Sequence, residues 1–300
     1  MKSRQAKIIV RIIGGIGNQL FCYAAARRLA LVNNAELVLD HASYFVRDTA
    51  YRRNYQLDHF NIPCRKATFA EQLEPFSKLR RYIKRVINSR RSFEKRAYLQ
   101  QEGIDFDHRL LTVKPRGTVQ IEGYWQSEYY FQDIASIIRE ELSIVPPLDS
   151  DNLAMSERIH NYHHAVAVHV RFFDEPQTTG SNNAPTDYYR RAIAEMESIV
   201  PDAHYFIFSD QPAAARAYIP LSEHHITLVS HNQDDTNAYA DLWLMTQCHH
   251  FIIANSTFSW WGAWLSPNVN KVIFAPGFEK REGVSSWGFK GLLPDQWRKI

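Results

Sequence analysis

HHFIIANSTFSWWGAWLS, residues 249–266, joins two patterns that belong to different elements. Phe251 to Ala254 is a short apolar run of strand length, and Phe258, Trp260, Trp261, Trp264 and Leu265 then recur at roughly helical spacing. Between them stand Asn255, Ser256 and Thr257, three small residues with amide or hydroxyl side chains. A buried strand that ends in small polar donors and passes straight into a helix is how an α/β protein makes an anion site. The helix N-terminus carries unsatisfied N–H groups and about half a positive charge. Such sites lie outside the carboxyl ends of parallel strands. The same residues also read as a packed strand–helix corner with Ser256 or Thr257 as cap, and Asn255-Ser256-Thr257 matches a glycosylation sequon. The choice depends on what other loops bring to the same place.

The chain has 300 residues and a hydrophobic share of 45%, enough for one large or two medium α/β domains, each with its own core. No apolar run approaches the ~20 residues of a membrane span. The opening MKSRQAKIIVRIIGG leads into a glycine loop rather than a cleavage site, so no signal peptide is expected. Cys22, Cys64 and Cys248 are odd in number and widely spaced, which fits a reducing cytoplasm. A net charge of +3 is too small to imply nucleic acid. It is unevenly spread, however: residues 78–96 hold nine basic residues and one acid, Glu94. Leu79, Tyr82, Ile83, Val86 and Ile87 recur there at helical spacing, so an amphipathic basic helix is expected. It reads as a surface helix packing on its own domain, a peripheral contact with an anionic membrane, or an element that meets an anionic acceptor.

Lys7 to Ile13 reads as a first strand, Gly14-Gly15-Ile16-Gly17-Asn18-Gln19 as a tight turn, and residues 18–32 as a helix. Glu36 to Leu39 forms a second strand ending in Asp40. This is the first half of a Rossmann-type unit. Asp40 stands near the place of a ribose-binding acid, but Leu20 occupies the place of the third glycine, so a nicotinamide or flavin enzyme is the weaker reading. Residues 41–75 show no periodicity. Thr118 to Glu122 is another strand, followed by Tyr124, Trp125 and Gln126, where aromatic faces beside an amide suit a sugar ring and a structural corner reads equally well. Val145-Pro146-Pro147-Leu148-Asp149 is the best linker, giving an expected first domain at 1–148 and a second at 149–300. Beyond it, strands at 165–170, 205–208, 226–229, 251–254 and 272–275 alternate with helical stretches near 187–199, 212–218 and 235–248. That alternation predicts a second parallel, doubly wound sheet.

Compared end to end, these strands deliver a chemical set. The strand at 165–170 holds His169 and delivers Arg171; the next delivers Ser209 and Asp210; the strand at 251–254 delivers Asn255, Ser256 and Thr257. The first domain delivers Gly15, Gly17 and Asn18. Arginine's planar fork donates paired hydrogen bonds to a pyrophosphate, and Asp210 or Asp241 can accept from ribose hydroxyls or a base edge. The expectation is a nucleoside diphosphate held in a crevice between two facing Rossmann-like domains. Asp105-x-Asp107 and Asp149-x-Asp151 match a metal-binding carboxylate pattern but follow no strand. The adjacent pairs at His163, His224 and His249 have poor ligand geometry, so no metal is expected.

With these residues in hand the chain resembles family 11 glycosyltransferases, the bacterial and animal α-1,2-fucosyltransferase family. The resemblance is carried by GGIGNQLFCYAAARRLA, GYWQSEYYF at 123–131, AVAVHVR at 165–171, YFIFSD at 205–210 and DLWLMTQCHHFIIANSTFSWWGAWLS at 241–266. It implies a GT-B fold and an inverting, metal-independent transfer of L-fucose from GDP-fucose to the 2-hydroxyl of a galactose-containing oligosaccharide or lipid-linked glycan. Donor binding would fall mainly to the second domain and acceptor binding to the first, with Tyr124, Trp125 and Gln126 on the acceptor. Independently of the resemblance, the cysteines point to the cytoplasm and the basic helix at 78–96 to peripheral contact at the inner face of the membrane. One departure stands out: where the family reads His-Val-Arg-Arg-Gly-Asp, this chain has Phe172 and Phe173 in place of Arg-Gly. Arg171 and the 255–257 turn would stabilise charge on the departing phosphate, Asn18 would lie near the sugar, and Asp174 or Glu175 are candidate bases. A different GDP-sugar or linkage, a nucleotide-dependent oxidoreductase and a non-catalytic sugar-binding protein are the alternatives.

Overall fold

Valine- and isoleucine-rich runs without polar alternation are strands covered on both faces, and the chain builds two parallel sheets from them. A computed structural model describes residues 5–176, 178, 181–283 and 285–300. The chain divides into two units: one runs up to Ser143 and takes in Lys290–Leu292, and the other comprises Ile144–Phe289 and Leu293–Ile300.

The first unit follows β1 (Lys7–Arg11), α1 (Ile16–Val32), β2 (Glu36–Asp40), β3 (Arg65–Lys66), α2 (Ser77–Ser89), β4 (Tyr98–Gln100), α3 (Arg109–Thr112), β5 (Thr118–Glu122) and α4 (Ala135–Glu141). Its strands lie in the order β3-β2-β1-β5-β4, all parallel. The second unit follows α5 (Ser150–His160), β6 (Ala165–Val170), α6 (Thr186–Ile199), β7 (His204–Ser209), α7 (Pro212–Tyr218), β8 (Ile226–Val229), α8 (Ala238–Thr246), β9 (His250–Ile252), α9 (Thr257–Leu265), β10 (Ile273–Ala275) and β11 (Arg298–Lys299). Its order is β11-β10-β9-β6-β7-β8, again parallel throughout.

The expected strands at 118–122, 165–170 and 226–229 fall at the observed bounds. The turn tryptophans are packing residues: Trp260, Trp261 and Trp264 are buried, and Trp260 stacks on Trp264 at 6.1 Å and meets Trp297 at 5.3 Å. Residues 41–75 hold single 3-10 turns at Phe45–Arg47 and Leu57–His59, and β3. The basic helix expected over 78–96 ends at Ser89.

The largest departure is the orientation of α2. Its buried face is Ser77, Arg81 and Asn88, whereas Leu79, Tyr82, Ile83, Val86 and Ile87 are exposed. The helix packs on its own domain as a surface helix, but through polar residues rather than its apolar stripe, and the cause is electrostatic. Asp40 ends β2, and Glu122 ends β5. Arg81 Nη2 donates to Asp40 Oδ2 at 2.7 Å, Ser43 Oγ at 2.8 Å and the Gln72 carbonyl at 3.0 Å, with both partners of the ion pair almost fully buried. Arg85 donates to both Glu122 oxygens, at 3.0 and 2.9 Å, and Arg11 reaches the same carboxylate at 2.7 Å. Asp40 is thereby a structural counter-ion, not the ribose acid that a dinucleotide site would need.

Breaking a buried pair strands an uncompensated charge, so Arg81→Ala should lower stability by roughly 3–5 kcal/mol. The Asp40→Asn/Arg81→Met double variant should recover much of that loss, as read from urea unfolding midpoints. An Arg81→Ala protein with an unchanged midpoint would contradict the pairing.

Candidate functional site

In the second unit the strand order reverses between β6 and β9: β7 and β8 extend to one side, β10 and β11 to the other. Loops leaving the carboxyl ends of two such strands diverge, and the gap between them is where open α/β sheets take ligands. Arg171 leaves β6 at this point, and Asn255, Ser256 and Thr257 leave β9.

Arg171 Nη1 lies 3.0 Å from Asp210 Oδ2, and the arginine side chain is 29% exposed. Asp210, just past β7, takes the Phe172 N–H on its other oxygen at 3.1 Å. One carboxylate thus fixes both the backbone and the side chain at the β6 exit while the guanidinium stays partly open. Ser209 Oγ accepts the Gln211 N–H at 3.1 Å. Ser256 caps α9, its Oγ accepting the Phe258 N–H at 3.3 Å; its own hydroxyl hydrogen remains available to donate. Thr257 opens the helix. Asn255 is buried, with Nδ2 donating to the Asn182 carbonyl at 3.0 Å and Oδ1 without a hydrogen-bond partner among the described residues.

His169 is buried and ties β6 to α9 through Nδ1 and Ser259 Oγ at 2.9 Å. Burial, and then the Arg171 cation, pushes its imidazole down to about 3, so the ring is a neutral strut. Through Nδ1, His169 makes a positioning contact between the strand that delivers Arg171 and the helix that follows Asn255.

The loop after Arg171 is closed by amides that sequence reading missed. Asn183 Oδ1 accepts the N–H groups of Phe173 at 2.6 Å and Asp174 at 3.1 Å. Asp174 Oδ2 accepts from the backbone and side chain of Asn182, at 2.6 and 2.7 Å. Asp174 therefore staples the loop, and Glu175 is exposed beside it. Phe172 belongs to the core, meeting Tyr218 at 5.1 Å, whereas the Phe173 ring lies 5.7 Å from the Arg171 guanidinium carbon. The Phe-Phe pair so anchors the loop on one side and braces the arginine on the other. A hollow of about 640 Å³ adjoins this loop, with Asn182, Asn183, Tyr218 and Phe278 on its wall.

At the carboxyl end of the first sheet, Gly14 has φ +77°, and a Cβ there would sit 2.9 Å from Asn18 Nδ2 and 3.2 Å from the Tyr124 ring. Gly15 caps α1 and Gly17 is buried in its first turn. The Arg53 guanidinium lies over Gly15, 3.8 Å from where a side chain would begin; no periodicity in 41–75 announced it. Asn18 Oδ1 accepts from Gln126 Nε2 at 2.7 Å, joining two distant motifs. Tyr124 is exposed and Gln126 half-buried, but Trp125 is fully buried against Tyr130. Trp125 offers no face to a sugar; its left-handed backbone, φ +54°, turns the ring inward.

A family model described as glycosyl transferase family 11 matches residues 7–282. The chain belongs to glycosyl transferase family 11. It is 30% identical to the O-antigen biosynthesis glycosyltransferase WbnK of Escherichia coli over 95% of this chain and 97% of that one. It is 26% identical to an Escherichia coli alpha-1,2-colitosyltransferase, with 98% of both chains covered. Among solved structures it resembles the NodZ alpha-1,6-fucosyltransferase soaked with GDP-fucose, at a TM-score of 0.52 and 16% identity, covering 88% of this chain and 94% of that one. The fold is therefore GT-B, and the protein is a glycosyltransferase.

In this family 11 glycosyltransferase three of the four carboxylates considered for a metal have other partners, and Asp151 is exposed. Asp107 pairs with Arg109 at 2.6 Å, Asp105 accepts the Lys290 N–H at 3.0 Å, and Asp149 caps α5 by accepting the Asn152 N–H at 2.9 Å. Asp241, in the first turn of α8, ends a chain of amides: Asn232 donates to it at 2.8 Å and exchanges hydrogen bonds with Asn152 at 2.9 and 2.8 Å. Burial pushes the Asp241 carboxyl up to about 7, and the Asn232 bond opposes this.

The folded enzyme thus holds the Asp241 proton to higher pH than the unfolded chain, so this group makes stability fall as pH rises from about 4 through about 7. Asp241→Asn should remove that slope, so its melting midpoint should gain on the parent's between pH 5 and pH 8. Parallel curves for the two proteins would show that Asp241 is already ionised across this range.

Proposed function

We propose that this enzyme transfers L-fucose from GDP-fucose to the 2-hydroxyl of a galactose-containing glycan, with inversion and without a metal ion. The observation that carries the reading is Arg171, held by Asp210 and left partly open, at the strand-order reversal that also presents the capped N-terminus of α9. Cations and free N–H donors at one strand-end edge suit a pyrophosphate. In the reaction the acceptor oxygen bonds to the anomeric carbon as the bond from that carbon to the β-phosphate oxygen breaks. GDP leaves with the electron pair, and the acceptor proton passes to a carboxylate or to water. Arg171, Ser256 and Thr257 stabilise the charge that grows on the phosphate, the role a metal plays elsewhere. Glu175 is the exposed carboxylate near Arg171 in the chain, whereas Asp174 is committed to Asn182. The second unit takes the donor; the first, with Asn18, Gln126 and Tyr124, takes the acceptor. An acceptor carried on a lipid would bring the enzyme to the inner face of the membrane.

A second reading keeps the site and changes the sugar. It is favoured by the relative named for colitose transfer, a sugar that lacks only the 3-hydroxyl of fucose. Incubation with GDP-fucose, GDP-colitose and a panel of galactosides, with and without chelator, separates the two. The proposal predicts a β-to-α inverted 1,2-linked fucoside formed equally well in chelator. Arg171→Ala should lower kcat/KM by about 100-fold, as loss of a charge-assisted contact to a developing anion does. Transfer only from GDP-colitose would sink the named donor, and near-parental activity in Arg171→Ala would sink the site.

A further inference from the structure

Helix α2 is amphipathic in the reverse of the usual sense. Leu79, Tyr82, Ile83, Val86 and Ile87 are 58%, 63%, 46%, 41% and 52% exposed. Their spacing of three and four residues sets them in one stripe along the outer side of the helix, opposite the buried Arg81 and Asn88. The helix is fixed in this orientation by the Arg81–Asp40 and Arg85–Glu122 pairs, so the stripe cannot turn inward without stranding Asp40 and breaking the second pair. Phe76, at its N-cap, holds a left-handed backbone at φ +68° that bulky residues rarely adopt, and its ring is 72% exposed.

The charge around the stripe selects its occupant. Lys78, Arg80, Arg90 and Arg91 are exposed, and Ser77–Ser89 contains no acid. A second copy of the chain would set this basic rim against itself, and a neutral apolar partner would leave it unmatched. A surface of lipid phosphates over hydrocarbon matches both parts. The helix has 13 residues, short of the ~20 that cross a bilayer, so it lies in the plane of the interface. We propose that α2 docks on an anionic membrane, its apolar stripe entering the boundary between headgroups and acyl chains and its flanking cations meeting lipid phosphates. The inference stands on α2 alone and holds whichever sugar is transferred.

The test is co-sedimentation of the full-length protein with vesicles of phosphatidylcholine and with vesicles containing phosphatidylglycerol. Partition should be at least about tenfold stronger onto the anionic vesicles and should weaken as salt is raised. Ile83→Glu/Ile87→Glu and, separately, Arg80→Glu/Arg91→Glu should each lower it by about tenfold or more at an unchanged melting midpoint. Equal partition onto both vesicles, or none onto either, would overturn the proposal on the parent protein alone. So would a concentration-dependent dimer that Ile83→Glu/Ile87→Glu abolishes, since the stripe would then belong to a second copy. Because the readout is partition, an error in the proposed donor leaves it unaffected.

Discussion

In a parallel sheet every strand delivers its carboxyl end to the same edge, and the residues that follow must share that edge whatever their distance in sequence. This constraint governs both units. In the first it gathers Arg11, Asp40 and Glu122; in the second it gathers Arg171, Asp210 and the Asn255–Thr257 turn. Charges crowded together in a half-buried rim must be paired or left facing solvent. Both units pair their rim charges: the first sets Arg81 and Arg85 from α2 on its carboxylates, and the second pairs Arg171 with Asp210 and leaves that guanidinium partly exposed.

The pairing in the first unit explains α2. Turning it over would bury five apolar side chains, each worth ~1.5–3 kcal/mol when fully buried. It would also strand Asp40, whose cation is Arg81, at several kcal/mol, and leave Glu122 with Arg11 alone. Against that gain stands the buried Arg81–Asp40 pair, which Ser43 and the Gln72 carbonyl also hold. The apolar side chains are left outside as a consequence, and their basic surroundings give that face a use.

The sheets were legible because parallel strands buried on both faces write continuous apolar runs, as at 165–170 and 226–229. The strand-end set was legible for the same reason: once the strands are placed, the next residue is placed too. Orientation was not. The period of Leu79 to Ile87 identifies an amphipathic helix but does not say which side faces in, because the deciding charges, Asp40 and Glu122, lie far away in sequence. Trp125 was misread as a sugar platform for a related reason, since an aromatic after a strand signals either a binding face or a buried corner and only its backbone turn decides. Arg53 and the Asn182–Asn183 clasp lie in stretches without periodicity, where no pattern marks what a side chain will meet. The Phe172-Phe173 departure reads from sequence as a lost arginine; in the structure one ring fills the core and the other braces Arg171.

The central claim is that the partly exposed Arg171 guanidinium, held by Asp210 at the β6 exit, binds a pyrophosphate. Calorimetric titration with GDP and with GMP tests it most directly, because the two ligands differ by the one phosphate at issue. A charge-assisted contact of about 1.5–3 kcal/mol predicts that GDP binds roughly 10- to 100-fold more tightly than GMP, and that Asp210→Asn, which loosens Arg171, narrows the gap. Equal affinities for GDP and GMP in the parent enzyme would contradict the account.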